Sequence, residues 1–398
     1  MSASISSPRI ITLIFLTALS VLSLNMFLPS LTNIATYFNA DYGLVSLSIS
    51  GYLGMTAVMQ IIIGPLSDRF GRRPIILATL IVFVVASIGC LLSTNITTFL
   101  VFRMMQAAII SGAALSPAIV KDMFSDKEAA SLLGYISMAM AVAPIVGPMI
   151  GGVLDELFGW RTNFMVYAAI GLLILLVCFF DLGETHKERS SDFKSQLRLY
   201  PSLLKSKQFW GYSLCRAFSV GAFYTFLAGA PLVATTVFGM STSELGFYLG
   251  TITVGFFLGS LLSGRFAKIF QLTTMMIAGR IVACVGLMAG IALFSLGYFH
   301  ELFLFGATIF VGLGNGLTMP SSNVGAMSVK PELAGSAASL SGALMVAGGG
   351  ILTFITGAMI SEENGIYTLL GMMLFCSIAG LIAALAIRFW DNQEMKIA

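Results

Sequence analysis

The chain has 398 residues, of which 57% are hydrophobic and only 10% are charged, and its formal net charge is +3. A soluble globular domain carries about 25% charged residues, so this composition excludes a soluble protein and indicates a polytopic membrane protein. The small net charge gives no reason to expect a nucleic-acid partner. The cysteines lie inside apolar runs without metal-ligand spacing, and we expect neither a metal site nor a cofactor.

Apolar runs of about 20 residues, the length needed to cross a bilayer, recur along the whole chain. They predict twelve spans at 10–30, 44–66, 74–94, 98–120, 130–154, 161–182, 208–231, 244–264, 273–297, 302–325, 334–359 and 365–388. We therefore expect an all-α membrane protein with two pseudo-symmetric six-helix bundles. A polar linker, 184–207, would separate an N-terminal bundle, 1–183, from a C-terminal bundle, 208–398.

The basic residues are sorted to one side of these spans. Of the 21 Lys and Arg residues, 17 fall in the loops and termini of one side, and the opposite loops carry only Arg161. Loops rich in Lys and Arg stay in the cytoplasm, so both termini are predicted to be cytoplasmic.

The first span ends with Asn25, Met26 and, shortly after, Pro29. An amide in an apolar run either hydrogen-bonds a neighbouring helix or contacts a substrate, and the sequence leaves both open. On the second span, Tyr52 and Met55 are candidate lining residues of the same pocket.

The loop between the second and third spans, Gly64 to Pro74, reads Gly-Pro-Leu-Ser-Asp-Arg-Phe-Gly-Arg-Arg-Pro. Its three arginines would by themselves only orient the protein in the membrane. Asp68 and the glycines add nothing to orientation, however, and Gly71 allows a tight turn. The loop is therefore a candidate conformational element.

An arginine, Arg103, lies inside the fourth span, three residues before Gln106 and so on the same helical face. It is either directed to the protein interior or reaches back to the membrane surface, and the shared face favours the interior. The same span ends at Lys121 and Asp122, on the side of the Gly64–Pro74 loop.

The fifth span contains two prolines and three glycines within ten residues, Ala143 to Gly152. In a membrane these residues permit close helix contact and a kink. The second half begins with many aromatic residues, and Phe223 and Tyr224 of the seventh span are candidates for stacking on a ligand.

Together, these motifs resemble the major facilitator superfamily, and within it the twelve-span drug:proton antiporters of the bicyclomycin/chloramphenicol-resistance type. The resemblance implies rocker-switch alternating access, with a substrate site between the two halves. The predicted substrate-binding residues are Asn25, Met26, Tyr52, Met55, Arg103, Gln106, Phe223 and Tyr224. The predicted gating residues are Gly64, Asp68, Arg69, Gly71, Arg72, Arg73, Asp122, Pro144, Gly147, Pro148, Gly151 and Gly152.

One residue departs from the family pattern. Related antiporters commonly have an aspartate where this chain has Asn25, and an amide cannot carry a proton. Proton coupling would then use a peripheral carboxylate or the charge of the substrate, or would be absent.

The sequence therefore predicts a monomeric exporter of small amphipathic molecules in the bacterial inner membrane, surrounded by lipid, with protons as the implied coupling ion. A transporter of one metabolite, such as a siderophore, nucleoside or sugar, is the alternative. A membrane enzyme or sensor has no support, because no nucleophile–base pair or soluble domain is present, and no nucleotide-binding loop suggests an ATP-driven pump.

Overall fold

The structure is a computed structural model and describes residues 8–124, 126–185, 201–266, 269–330 and 333–397. Most of the predicted linker, residues 186–200, lies outside the described residues. Twelve helices in the described ranges are long and apolar enough to cross a membrane, which confirms the predicted number of spans.

The first six spans are described here by the bounds of their helices. They are α1 (Ile10–Asn25, a 3-10 turn at Leu28–Ser30, then Leu31–Phe38), α2 (Tyr42–Phe70), α3 (Arg72–Leu92), α4 (Ile96–Met105, a 3-10 turn at Gln106–Ile109, then Ile110–Met123), α5 (Asp126–Phe158) and α6 (Arg161–Asp181).

The other six follow the region of the linker. They are α7 (Lys207–Thr236), α8 (Thr242–Leu249 and Thr251–Phe266), α9 (Leu272–Ser295), α10 (Glu301–Ser328), α11 (Ala334–Met359) and α12 (Gly365–Ile397).

The first span is longer than predicted, because Pro29 does not end it. Pro29 occupies the first turn of the 3-10 segment, where a missing backbone N–H costs little. The helix resumes at Leu31 and ends at Asn39, which adopts a left-handed conformation with φ of 46°.

Two compact units divide the described helices. The first contains α1 to α6 together with Ser241–Gly246, and the second contains α7 and the rest of the chain from Phe247 onward.

In the first unit, an aromatic cluster forms at the end of the bundle where Trp160 lies. Phe99 is at its centre, with ring centroids 5.3 Å from Phe164 and 5.7 Å from Trp160.

The second unit packs α8 against α10 through glycines on both helices. A Cβ atom at Gly255 or Gly259 would collide with the backbone carbonyls of Ile309 and Leu313. In the same way, a Cβ atom at Gly312 of α10 would collide with the backbone carbonyl of Ile252 in α8. Small residues let backbones approach closely where lipid provides no hydrophobic driving force between helices.

Candidate functional site

Arg103 lies in the interior of the first unit, with none of its surface exposed. Its Nη1 atom donates to Gln106 Oε1 over 2.7 Å, and its Nη2 atom donates to the Ser23 carbonyl over 2.8 Å. Gln106 in turn donates from Nε2 to Ser87 Oγ over 2.7 Å. The guanidinium therefore links α4 to α1 directly and to α3 through Gln106.

Two aromatic rings flank the same guanidinium. The Arg103 Cζ atom lies 4.2 Å from the ring centroid of Phe27 and 4.3 Å from that of Tyr52. Tyr52 is held by a 3.2 Å hydrogen bond from its hydroxyl to Ser23 Oγ. Cation–π contacts of this kind are worth about 2 kcal/mol or more when desolvated. We refer to Ser23, Phe27, Tyr52, Arg103 and Gln106 as the Arg103 site.

Among the described residues, no carboxylate neutralises the positive charge of the Arg103 site. No ion pair to Arg103 is found in the part of the chain that the structure describes. Its Nε atom is buried and has no hydrogen-bond partner among those residues. Charged residues inside membrane spans are costly and commonly mark a functional position.

The other predicted site residues of the first unit have separate surroundings. Asn25 is 3% exposed and donates from Nδ2 to the Val21 carbonyl of its own helix over 2.8 Å. Met26 is buried, whereas Met55 is 36% exposed. The Asn25 amide therefore donates within its own helix, and Met55 is the exposed one of these three side chains.

Phe223 and Tyr224 belong to the second unit and are both half-buried. Their ring centroids are 5.6 Å apart. Tyr224 packs against Gly349 of α11, where a Cβ atom would touch the ring.

The loop predicted between the second and third spans is reduced to one residue. Gly71 separates the end of α2 from the start of α3 and has φ of 101°, a conformation that favours glycine. Its N–H donates to the Ser67 carbonyl over 2.8 Å, which completes the end of α2.

Arg72 is the centre of the charged contacts at this turn. Its Nη1 atom lies 2.8 Å from Asp68 Oδ1, and its Nε atom lies 3.4 Å from Asp122 Oδ2. Arg73 donates from Nη2 to the Phe179 carbonyl of α6 over 2.9 Å. Arg69 is exposed and its guanidinium stacks 5.2 Å from the ring centroid of Phe70.

Glu184 completes this arrangement and was not among the predicted site residues. Its Oε1 accepts from the Arg72 backbone N–H over 2.9 Å, and its Oε2 accepts from that of Arg73 over 3.3 Å. A carboxylate at a helix N-terminus is favoured by the helix dipole and by the unpaired N–H groups there. Asp68, Arg72, Asp122 and Glu184 are called the turn cluster below.

The glycines of α5 make the close approaches that their spacing predicts. A Cβ atom at Gly147 would lie 3.1 Å from Leu22, and one at Gly151 would collide with the Met26 carbonyl. Gly152 contacts the Ser241–Gly246 segment of the same unit, where Thr242 Oγ1 donates to the Gly152 carbonyl over 3.1 Å. Pro144 and Pro148 are accommodated inside the helix.

A second fully buried arginine, Arg280, lies in the second unit. It donates from Nη2 to Asn315 Oδ1 over 2.7 Å and from Nε to Thr318 Oγ1 over 3.1 Å. Its Nη1 atom has no partner among the described residues. The sequence places Arg280 inside a span, but helical periodicity alone does not reveal that Asn315 and Thr318 face it from α10.

The described residues thus form twelve apolar spans, with a buried arginine network in the first unit. Charged side chains surround the turn at Gly71. The family model described as Major Facilitator Superfamily matches residues 13–354. The chain belongs to the Major Facilitator Superfamily.

Two of the relatives described here extend over nearly the whole chain, and a third covers just over half of it. An uncharacterized MFS-type transporter, YdgK, of Bacillus subtilis is 31% identical over 385 residues, covering 93% of this chain and 92% of that protein. A bicyclomycin resistance protein homolog of Haemophilus influenzae is 28% identical, covering 97% and 98%. A chloramphenicol resistance protein of Pseudomonas aeruginosa is 32% identical over 58% of this chain and 55% of its own length.

Solved structures of the superfamily share this fold. A bacterial homolog of the human lysosomal transporter Spinster aligns with a TM-score of 0.77 at 18% identity, covering 95% of this chain and 96% of that one. A D-xylose–proton symporter aligns with a TM-score of 0.72 at 14% identity, covering 95% and 96%. At these identities the likeness establishes the fold, and the chain is an all-α membrane transporter of the superfamily.

Proposed function

We propose that this protein exports small amphipathic organic molecules across the bacterial inner membrane by alternating access of its two six-helix bundles. The near full-length similarity to a bicyclomycin resistance protein homolog supports this proposal. The protein acts without a cofactor, as a monomer surrounded by lipid, with both termini in the cytoplasm.

The observation that carries the proposal is this similarity, and the Arg103 site is where we propose that a substrate acts. A guanidinium with no exposed surface, stacked between Phe27 and Tyr52, is an expensive feature inside a membrane span. Its stacking rings and hydrogen bonds join α4 to α1 and α2 directly and to α3 through Gln106. A substrate that displaces one ring would therefore alter the packing of four helices. We propose that a substrate approaches along α2 at Met55, which is 36% exposed and lies three residues after the buried Tyr52, and acts on Arg103 through the Tyr52 ring.

The turn cluster is proposed as the conformational element. Its ion pairs and the Glu184 contacts fix the short connection between α2 and α3 and tie it to Asp122 of α4. A structural element whose contacts differ between two conformational states shifts the equilibrium between those states. The size of the shift is set by the difference in the free energy of those contacts. The glycines of α5 allow that helix to slide or bend against α1 during the same change.

A transporter of one metabolite is the second candidate, and the charge of the Arg103 site favours it. A buried arginine without a carboxylate suits a neutral or anionic substrate better than a lipophilic cation. Asn25 also removes the carboxylate that carries the proton in the resembling antiporters. Protons therefore drive this transporter less strongly than they drive such a relative.

Transport by the purified protein in proteoliposomes tests the proposal. The panel contains chloramphenicol as a neutral drug, an aromatic carboxylate and tetraphenylphosphonium, each measured with and without an imposed pH gradient. Export of chloramphenicol is expected, with a loss in the Arg103→Ala variant at equal reconstitution. If the wild type moved none of these compounds but moved a single sugar, nucleoside or siderophore, the export proposal would give way to the metabolite transporter.

A further inference from the structure

Asp155 of α5 is a buried carboxylate that belongs neither to the Arg103 site nor to the turn cluster. It is 5% exposed and lies three residues before Phe158, where α5 ends. Asn33 of α1 donates from Nδ2 to its Oδ2 atom over 2.9 Å, and the Ser30 hydroxyl is a second hydrogen-bond donor. Both donors are neutral, and no ion pair to Asp155 is found in the described ranges. Ionisable residues buried at membrane depth commonly mark a functional position.

The carboxylates nearest in the same unit have partners of their own. Glu156, the next residue of α5, is exposed and accepts from the Ser243 N–H over 3.2 Å. Glu244 accepts from the Ser241 N–H of its own segment over 2.9 Å. The negative charge that acts on Asp155 is that of Glu156, so two negative charges stand side by side at the end of α5.

The positive charge nearest in the chain, Arg161 of α6, is engaged elsewhere. Its Nη2 atom donates to the Tyr37 hydroxyl over 2.8 Å, and its guanidinium also donates to the backbone carbonyls of Leu91 and Ser93. Among the described residues, Asp155 is therefore held by neutral donors. A buried charge without a charged partner is costly, and the uptake of a proton removes that charge.

Asn163 of α6 extends the hydrogen-bond network of Asp155. Its Nδ2 atom donates to Ser30 Oγ over 3.0 Å and to the Gly151 carbonyl over 3.2 Å. Asn163 is fully buried, and its Oδ1 atom has no partner among the described residues. Buried polar groups are normally paired, so this oxygen calls for water within the network. Asn33, on the other side of the carboxylate, is exposed and provides contact with bulk water.

The 3-10 turn of α1 connects this network to the Arg103 site. Ser30 is the last residue of the turn, and its N–H donates to the Phe27 carbonyl over 2.9 Å. The ring of Phe27 lies 4.2 Å from the Arg103 Cζ atom. All these residues belong to the first unit. A change in the hydrogen bonds of Ser30 therefore acts, over a single turn, on a ring that stacks on the guanidinium.

We infer that Asp155 is a regulatory proton-binding site, which sets the substrate affinity of the Arg103 site according to the pH on the side of the membrane where Trp160 lies. One carboxylate oxygen takes up a proton from water beside Asn33 and returns it to the same side. The proton is therefore bound but not transported. This inference rests on the proposed transport function, because it names a regulation of the Arg103 site.

The direction of the effect follows from the hydrogen bonds. Bonds to an ionised carboxylate are about twice as strong as those between neutral groups, so protonation weakens the hold of Asp155 on Ser30 and Asn33. The 3-10 turn then positions Phe27 less firmly against Arg103. Substrate affinity should fall on acidification, by about fivefold or more, which is the lower end of the range for coupled sites.

Proton binding is measured without any substrate. Infrared difference spectra of the purified protein in bilayers, recorded between acidic and neutral pH, report the carboxyl groups that take up protons. A titrating carboxyl band is expected that moves when aspartate is labelled with a heavy carbon isotope, and that is missing in Asp155→Asn. Glu156→Gln and Glu362→Gln, which replace exposed carboxylates, are the controls and should keep it. A titrating band that ignored the aspartate label, or disappeared only in Glu156→Gln, would overturn the inference.

Regulation is measured as the equilibrium affinity for chloramphenicol at each pH. Asp155→Asn mimics the protonated state, so its affinity should stay at the low value and change less than about twofold with pH, against the fivefold expected of the wild type. Ser30→Ala should retain the aspartate band but lose most of the pH dependence, because the link to Phe27 is removed. A wild-type pH dependence in Asp155→Asn or Ser30→Ala, with native fold by circular dichroism, would contradict the inference.

A regulatory proton is distinguished from a transported one by counting. The number of protons moved per chloramphenicol exported from proteoliposomes should be the same in Asp155→Asn and the wild type. A changed ratio would make Asp155 a coupling group and overturn its regulatory role.

The site and the proposed function fail separately in this design. A titrating Asp155 in a protein that neither binds nor exports any compound of the panel would support the proton site and contradict the proposed function. Export without a titrating aspartate band would support the function and contradict this site.

Discussion

The Arg72 Nη1 atom lies 2.8 Å from Asp68 Oδ1, across the single residue that separates α2 from α3. The same arginine reaches Asp122 at the end of α4, so one side chain ties together the ends of three helices. All these residues belong to the first unit. The turn cluster can bias alternating access only through contacts that differ between its two states, so we expect the connection between α2 and α3 to rearrange during gating.

Replacing Asp68 with asparagine should reduce turnover strongly while changing equilibrium substrate affinity much less. A charge-assisted hydrogen bond contributes roughly 1.5–3 kcal/mol, enough to shift a two-state population about tenfold or more. Arg72→Ala and Asp122→Asn should act in the same direction. Binding is measured at equilibrium, and conformation by the accessibility of single cysteines on the two faces of the first unit.

Arg265→Gln is the control for this set, because Arg265 is an exposed arginine of the second unit and is not among the predicted gating residues. Its turnover should remain close to that of the wild type. Loss of binding in Asp68→Asn with unchanged cysteine accessibility would assign Asp68 to the substrate site.

Replacing Gly71 with alanine should destabilise the protein through two separate causes. The φ of 101° strains any other residue by about 1–3 kcal/mol, and the new Cβ atom would collide with the Glu184 carboxylate. Glu184→Ala alone should also lower stability, because it removes the acceptors of the Arg72 and Arg73 N–H groups. The collision is absent from the double variant, so its loss should be smaller than the sum of the two single losses. The thermal unfolding midpoint in detergent is the measurement.

Gly64→Ala is the control for Gly71→Ala, since a Cβ atom at Gly64 would meet nothing within 4 Å. Its unfolding midpoint should equal or exceed that of the wild type. Equal effects of alanine at both glycines would rule out a special role for the Gly71 turn.

Arg103→Ala should abolish or strongly weaken transport, and Arg103→Lys should rescue little of it. Lysine keeps the charge but loses the planar group that stacks between Phe27 and Tyr52 and binds Gln106 and Ser23 together. Uptake and binding are measured at matched expression. Normal kinetics in Arg103→Ala would remove Arg103 from the functional site.

Asn25→Asp should make transport more dependent on a proton gradient. The new carboxylate would stand two residues from Ser23, whose carbonyl binds Arg103, and would add a titratable group where the wild type has none. Transport is followed as the imposed gradient is collapsed, with Asn25→Ala as the control for loss of the amide. Strong, collapsible proton-driven transport by the wild type would refute the view that Asn25 removes the main coupling group.

A reporter fused after Asn392 should be cytoplasmic, because 17 of the 21 Lys and Arg residues fall on the side predicted for both termini. A second fusion after Tyr298, between α9 and α10, should report the opposite side. A periplasmic signal from the Asn392 fusion would reverse the predicted topology.

The number of spans could be predicted from the sequence because each needs only a sufficiently long apolar run. The spacing of three residues also predicted that Arg103 and Gln106 share a helical face, and in the structure their side chains form a 2.7 Å hydrogen bond. Both features are local in the chain. The φ of Gly71 was likewise suggested by a glycine at a turn.

The partners of Arg103 on other helices could not be predicted from the sequence. Predicting them requires knowing how each helix is rotated about its own axis, and an almost wholly apolar span has no polar face that indicates this rotation. Phe27 and Tyr52 enclose Arg103 from two other helices, and nothing in their own segments marks them for that role. Glu184 had one signal that was not used: it is the first acidic residue after Asp181, at the end of the bundle where the Gly71 turn lies.

The two buried arginines also differ in the order in which their partners are synthesised. Ser23 and Tyr52 precede Arg103 in the chain, so its acceptor and its stacking ring have already been made when α4 leaves the ribosome. Arg280 precedes Asn315, its closest acceptor, by 35 residues. Inserting an unpartnered arginine at the centre of a helix costs about 2.5–3.5 kcal/mol on translocon scales. During biogenesis α4 can therefore enter an existing helical assembly, whereas α9 is expected to remain at the insertase until α10 arrives and to enter the bilayer with it as a hairpin.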